Sequence, residues 1–251
     1  MTKGQDVLKA TVDRLNSLGL PRMAAKLEEL YESPDFLTAD RLEQICSLVS
    51  EEYQHSESGK LKARLRKCGP WGAPEEISRC ADSLDRAYQP TGIVSQLSTL
   101  SFVGRGLNVL VLGASDAGKT YFAKALAIHA SSKYKGEYLH CSPLIDGLVN
   151  LKKTNFPKYE KRMRWLARCD FLVIDDFLIT PLASDAETSV LFTLLESRAE
   201  RLKSTILCSQ RAPEGWSEML MGDKVATDAI TKRASRNFTV YISKPIQNTD
   251  R

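Results

Sequence analysis

The chain has 251 residues, 43% hydrophobic and 26% charged, and 35 lysines and arginines stand against 31 aspartates and glutamates for a net charge of +4. That balance fits an ordinary globular protein of one large domain or two modest ones, and excludes a disordered chain or a disulfide-stapled miniprotein. No run approaches about 18 uncharged apolar residues, and Lys3, Asp6 and Lys9 precede no apolar segment, so neither a membrane span nor a secretory signal is expected and the location reads as cytoplasmic.

Residues 5–31 carry apolar side chains at helical spacing (Val7, Leu8, Val12, Leu15, Leu18), are broken at Gly19-Leu20-Pro21, and resume with Met23, Leu27 and Leu30. A further helix opens after Thr38-Ala39-Asp40, with Leu42, Ile45, Leu48 and Val49 as its expected buried stripe, and runs towards Gly59. Five cations follow (Lys60, Lys62, Arg64, Arg66, Lys67) before Gly69-Pro70 and Pro74 stop any helix. Residues 1–68 therefore read as an all-helical interaction domain, and 69–105 as a linker and lead-in to a core spanning 106–251.

The core changes period. Asn108–Leu112, Glu137–Cys141, Phe171–Ile174, Thr205–Ser209 and Phe238–Ile242 are short apolar strands, separated by helical stretches over 119–132, 143–168, 186–202 and 223–235. Strands alternating with helices predict an α/β fold, a parallel five-stranded sheet flanked by helices. Charge is asymmetric as well: residues 1–90 sum to −2 and the remainder to +6. Six cysteines without a CxxC pair and three histidines without HExxH give no zinc or redox signature.

Gly113-Ala114-Ser115-Asp116-Ala117-Gly118-Lys119-Thr120 fits GxxxxGK[ST], with a buried strand before it and an amphipathic helix after it. Backbone N–H groups of such a loop, Tyr121 included at the helix start, cradle phosphates. Lys119 is expected on the β- and γ-oxygens of ATP, and the Thr120 hydroxyl on Mg2+. Asp116 is an odd presence in an anion-binding loop, although aspartate tolerates left-handed backbone better than most residues.

Phe171-Leu172-Val173-Ile174 delivers Asp175 and Asp176 56 residues after Lys119, the Walker B arrangement. Asp175 is expected to hold Mg2+ through its water shell, and Asp176 to orient or deprotonate the attacking water. Ser204–Ser209 ends in Gln210, 35 residues past Asp175; if that strand lies between the other two, Gln210 is near the γ-phosphate.

These residues together resemble AAA+ ATPases of the initiator and helicase-loader branch. More closely, Gly113…Thr120-Tyr121, Asp175-Asp176-Phe177 with Thr180-Pro181-Leu182, Ser209-Gln210 with Pro213 and Trp216, and Ala226-Thr227-Asp228-Ala229-Ile230 leading to Arg233 resemble the IstB-like helper ATPases of insertion sequences. Leu18-Gly19-Leu20-Pro21-Arg22-Met23 is similar to that family's leading domain. The resemblance implies an ATP-dependent DNA-binding protein that assists a transposase of the same mobile element. It further implies self-association into ATP-dependent oligomers, with Arg233 (Arg236 as understudy) reaching the γ-phosphate of a neighbouring subunit. Three positions depart from the family pattern: Asp116 and Leu178 where glycine is usual, and Lys232 where an acid is usual.

Lys152, Lys153, Lys158, Lys161, Arg162, Arg164 and Arg168, interrupted only by Glu160, form the densest positive stretch. They are the expected contacts to duplex DNA phosphates, without sequence reading. A DnaC-like helicase loader is the alternative within the same fold; a small-molecule phosphotransferase or a non-hydrolysing switch fits the motifs less well.

Overall fold

The computed structural model describes residues 3–68, 76–83, 86–220, 224–234 and 237–243. The chain divides into two compact units, Met1–Ala63 and Arg64–Arg251. Gly69–Pro74, expected to stop the helix, and Arg236 lie outside the described residues.

The first unit holds α1 (Lys3–Ser17), α2 (Pro21–Leu30), α3 (Pro34–Thr38) and the larger part of α4 (Arg41–Cys68). The expected break is real: Gly19 takes φ 75°, and Pro21, which needs no intrahelical partner for its nitrogen, opens α2. The start of α2 is capped from a distance, where the Glu52 carboxylate accepts the N–H groups of Arg22 and Met23 at 2.9 and 3.0 Å.

The second unit is built on a six-stranded sheet, β1 (Ala87–Gln89), β2 (Asn108–Leu112), β3 (Gly136–His140), β4 (Phe171–Asp175), β5 (Ser204–Ser209) and β6 (Asn237–Ser243), in the order β1-β6-β2-β5-β4-β3. The five expected strands run parallel, and β1 adds a sixth that is antiparallel to β6. A three-residue strand is too short to show an alternation, which is why the sequence hides it. Its central Tyr88 is buried and packs on Phe122 with ring centroids 5.5 Å apart.

Helices α5 (Ile93–Ser98), α6 (Ser101–Gly104) and α7 (Lys119–Ala130) lie against one face of the sheet, over Val109, Val111, Val173, Ile206 and Cys208. The segment expected as lead-in thus supplies Ile93, Leu97, Phe102 and Val103 to the core. The other face, Leu110, Leu112, Leu172, Ile174 and Leu207, is covered by α8 (Cys141–Thr154), α9 (Phe156–Arg168), α10 (Asp185–Glu200), α11 (Trp216–Met219) and α12 (Lys224–Ala234). Strand side chains alternate between the faces, so both carry an apolar layer, as a parallel sheet requires.

One expected helix is two. The stretch read as 143–168 breaks at Asn155, because Pro157 has no place in a helix interior but fits a first turn. The Asn155 side chain accepts from the Lys158 N–H at 3.1 Å and caps α9. Buried Arg198 of α10 ties the far end of α9 to β5. Its guanidinium donates to the carbonyls of Leu166, Cys169 and Ser204 and to the Thr205 hydroxyl, satisfying carbonyls that the helix end leaves open.

At the free edge, Gly136 opens β3 directly opposite Phe171, whose ring covers the place a Cβ would take.

Candidate functional site: a phosphate loop beside two carboxylates

The loop 113–118 leaves β2 at the sheet's C-terminal edge and enters α7 through Gly118, whose φ of 98° suits only glycine. Lys119 is buried, and its ammonium donates to the Ala114 carbonyl at 2.7 Å, back across its own loop. The next side chain turns towards the acids: Thr120 Oγ1 donates to Asp175 Oδ2 at 2.8 Å. The sheet order makes this meeting possible. β5 lies between β2 and β4, so the carboxylates sit two strands over from the phosphate loop, and alternation along β4 aims Asp175 at the α7 face.

Asp175 is almost fully buried and receives two further hydrogen bonds, from the Tyr138 hydroxyl and, on Oδ1, from the Asp176 N–H at 2.9 Å. Asp176, half-exposed at φ 55°, faces outward, with its Oδ2 3.0 Å from His140 Nδ1. Tyr138 and His140 are two residues apart on β3, and so are delivered to one face, each to one acid. Burial, and then the bond to Asp175, push the Tyr138 phenol far up, which keeps it a hydrogen-bond donor. Neither residue was found from the sequence. The signal was present in the alternation Gly136, Tyr138, His140, but choosing the partner strand needs the register.

Gln210 is exposed one residue beyond β5, between the loop and acid strands as expected. The segment after it is anchored on the acid loop: Ser209 Oγ donates to the Phe177 carbonyl at 2.9 Å, Phe177 N–H to the Cys208 carbonyl at 2.7 Å, and Trp216 packs edge-on against Phe177. Asp116 and Leu178, the two residues in glycine positions, take φ 59° and 51°. Both backbones therefore keep the conformation for which glycine is suited, at a cost of order 1 kcal/mol each. The Asp116 side chain is exposed, while Leu178 is packed into the core.

Arg233 on α12 is engaged by neighbouring groups of the same chain. It pairs with Glu196 of α10, donates to the Ala229 carbonyl at 2.8 Å and lies 4.9 Å from the Phe192 ring.

In the basic stretch, Lys152, Lys153, Lys158, Lys161, Arg164 and Arg168 are exposed on α8 and α9. Arg162 is different: it forms a two-pronged pair with Glu137 at 2.8 and 2.9 Å, and the Trp165 indole donates to the same carboxylate at 2.6 Å. Its charge is largely spent inside the fold. Of the earlier cation run, Lys67 stacks 3.3 Å over the Trp165 ring and Arg64 donates to the Ser132 carbonyl, so both serve packing.

Could these residues hold a magnesium nucleotide? Among the described residues no cluster of three or more His, Cys, Asp or Glu forms a metal cage. Magnesium at a phosphate site needs little protein, since it keeps several waters and binds through one or two protein oxygens plus phosphate. Thr120 and Asp175, already in contact, supply that pair.

The model of the family described as IstB-like ATP binding protein matches residues 13–241. A Pseudomonas aeruginosa protein described as an ATP-binding protein of insertion sequence IS21 is 27% identical over 230 residues, covering 90% of this chain and 83% of that one. An insertion-sequence ATP-binding protein of Sinorhizobium fredii is 29% identical, with 90% of both chains covered. Among solved structures, the DnaC helicase loader superposes with a TM-score of 0.51 at 19% identity, over 67% of this chain and 96% of that one, a likeness of fold. The sheet with its phosphate loop thus shares the fold of that loader, with six strands rather than the five expected.

Proposed function

The chain belongs to the IstB-like ATP-binding proteins, and from that premise we propose that it hydrolyses ATP as the helper of a transposase, assembling on duplex DNA in the cytoplasm. The observation that carries the reading is the 2.8 Å contact between Thr120 and Asp175, which joins the phosphate loop to the acid strand and sets Asp176 beside them.

Each residue has a task. The loop N–H groups and the α7 terminus bind the phosphates, and Lys119 exchanges its loop carbonyl for the β- and γ-oxygens. Thr120 and Asp175 would hold Mg2+, which would supply positive charge to offset that of the phosphates. Asp176 accepts the proton of, or orients, the attacking water, with Gln210 on its other side. Arg233 leaves Glu196 to stabilise the γ-phosphate on a neighbouring subunit, which ties hydrolysis to assembly. The exposed cations of α8 and α9 contact DNA phosphates, Arg162 contributing least because Glu137 already holds it.

The test is ATP turnover by the full chain with and without duplex DNA. Stimulation by DNA is expected. Lys119→Ala should abolish nucleotide binding. Asp176→Asn should bind ATP and turn it over at least 100-fold more slowly, since the amide keeps the shape and loses the basicity. Wild-type turnover in Asp176→Asn would refute the assignment.

A further inference from the structure

The phosphate loop has a second neighbour, on the side away from the acids. Arg86, the residue just before β1, lies with its guanidinium on the bare Cα of Gly118: a Cβ there would stand 2.5 Å from Cζ, 2.6 Å from Nε and 2.7 Å from Nη2. The same guanidinium lies 5.6 Å from the ring centroid of Tyr121, the residue after Thr120. Strand alternation explains its aim, because Arg86 and Tyr88 share a face and Tyr88 packs on Phe122 of the same helix turn. Arg86 is half-buried, and among the described residues no carboxylate lies within ion-pair distance of it. A cation held on a phosphate loop, with no acid among the described residues paired to it, has the chemistry of a ligand for an anion.

The sheet order decides which anion. The acids reach the loop from β4, on one side of β2, and Arg86 reaches it from β1, beyond β6 on the other. A nucleotide whose γ-phosphate lies towards Asp175 and Asp176 therefore carries its α-phosphate and nucleoside towards Arg86. We propose that Arg86 pairs in cis with the α-phosphate of the bound nucleotide, so that the nucleotide is gripped from both flanks of the loop by residues of one subunit. This rests on the nucleotide-binding reading above. It gives Arg86 a part in affinity for ATP and ADP alike, separate from the γ-phosphate task assigned to Arg233.

Titration of the full chain with fluorescent ADP and ATP in the presence of Mg2+ tests it. Arg86→Ala should weaken both nucleotides about tenfold or more and to the same degree, the effect of losing one charge-assisted hydrogen bond. Arg86→Lys should fall between wild type and alanine, because it keeps the charge and loses the fork. Melting without nucleotide should be unchanged in both variants, while the shift that ADP gives should shrink. Unchanged ADP affinity in Arg86→Ala, a loss confined to ATP, or a matching fall in nucleotide-free melting temperature would each overturn the proposal. Failure of the wild type to bind either nucleotide would instead overturn the reading on which it rests.

Discussion

Among the described residues, the helices of Met1–Ala63 bury only Val12, Ala24 and Leu48 of their apolar side chains, whereas α10 alone buries Val190, Leu191, Leu194 and Leu195 in the second unit. The first unit leaves Leu42, Ile45, Val49 and Tyr53 exposed along α4, so of the stripe expected to be buried there only Leu48 is. The second contains every described non-glycine residue with positive φ: Leu100, Asp116, Asp176, Leu178, Leu202 and Asn237. Among the described residues of the first, the left-handed region is visited only by Gly19. Strained backbone persists where surrounding packing over-determines it, and the unit with the deep core is the one able to hold it. Three of those residues, Asp116, Asp176 and Leu178, surround the phosphate and acid loops, so the chemistry sits where stability is in surplus.

That contrast can be broken by substitution. The largest effect is expected from Arg198→Leu, which leaves the open carbonyls at the end of α9 and beside β5 without donors; a loss of about 3 kcal/mol or more is expected in denaturant unfolding. Leu194→Ala, a fully buried truncation, should cost nearly as much, roughly 2–5 kcal/mol. Leu48→Ala, the same truncation at the margin of the smaller core, should cost no more than about 2 kcal/mol because water already reaches that site. Equal losses for Leu194→Ala and Leu48→Ala would erase the distinction drawn here.

Asp116→Gly sharpens it further. Removing the left-handed penalty should stabilise the second unit by about 1 kcal/mol, and should also tighten ATP binding by removing a negative charge from an anion loop. Weaker ATP binding in this variant would assign the carboxylate a positive role. Smallest of all should be Ile45→Ser, within about 0.5 kcal/mol, because the side chain is already in water. Thiol labelling of the native chain reports the same difference without mutation. Cys46 is exposed and should react, while the other five are buried. Burial also pushes Cys68 and Cys141 up to about 11, so below that pH they hold their protons and stay unreactive even where reagent penetrates.

Legibility followed the same division. Helices α1, α2 and α4 are readable because periodicity, Gly19-Pro21 and the polar flanks all act locally; the five-residue α3 is too short to show a period, and the sequence does not say that most of the α4 stripe stays exposed. In the second, the loop, the acids and the five parallel strands were readable because each is a contiguous run with its own signal. Tyr138 and His140 were not, since nothing in Glu137–Cys141 says which strand it will join. Arg86 stood in a stretch with no visible period, and its importance comes only from β1 folding back beside β6. Arg162 looked like its basic neighbours until Glu137, 25 residues away, was found against it. The break at Asn155 was legible in principle, from the proline two residues on.

The ring of Phe171 lying over Gly136 has a consequence at the opposite end of the same pair of strands. An edge strand held on one side only is free to slip, and a slip of one residue turns every side chain to the other face. On β3 that would carry the Tyr138 hydroxyl away from Asp175 and the His140 imidazole away from Asp176. A glycine under an aromatic ring admits no other residue at that point, so it works as an index mark that fixes the alignment of the whole strand. The position of two groups at the phosphate end is thereby set two and four residues upstream, by a hydrogen atom where any other side chain would begin.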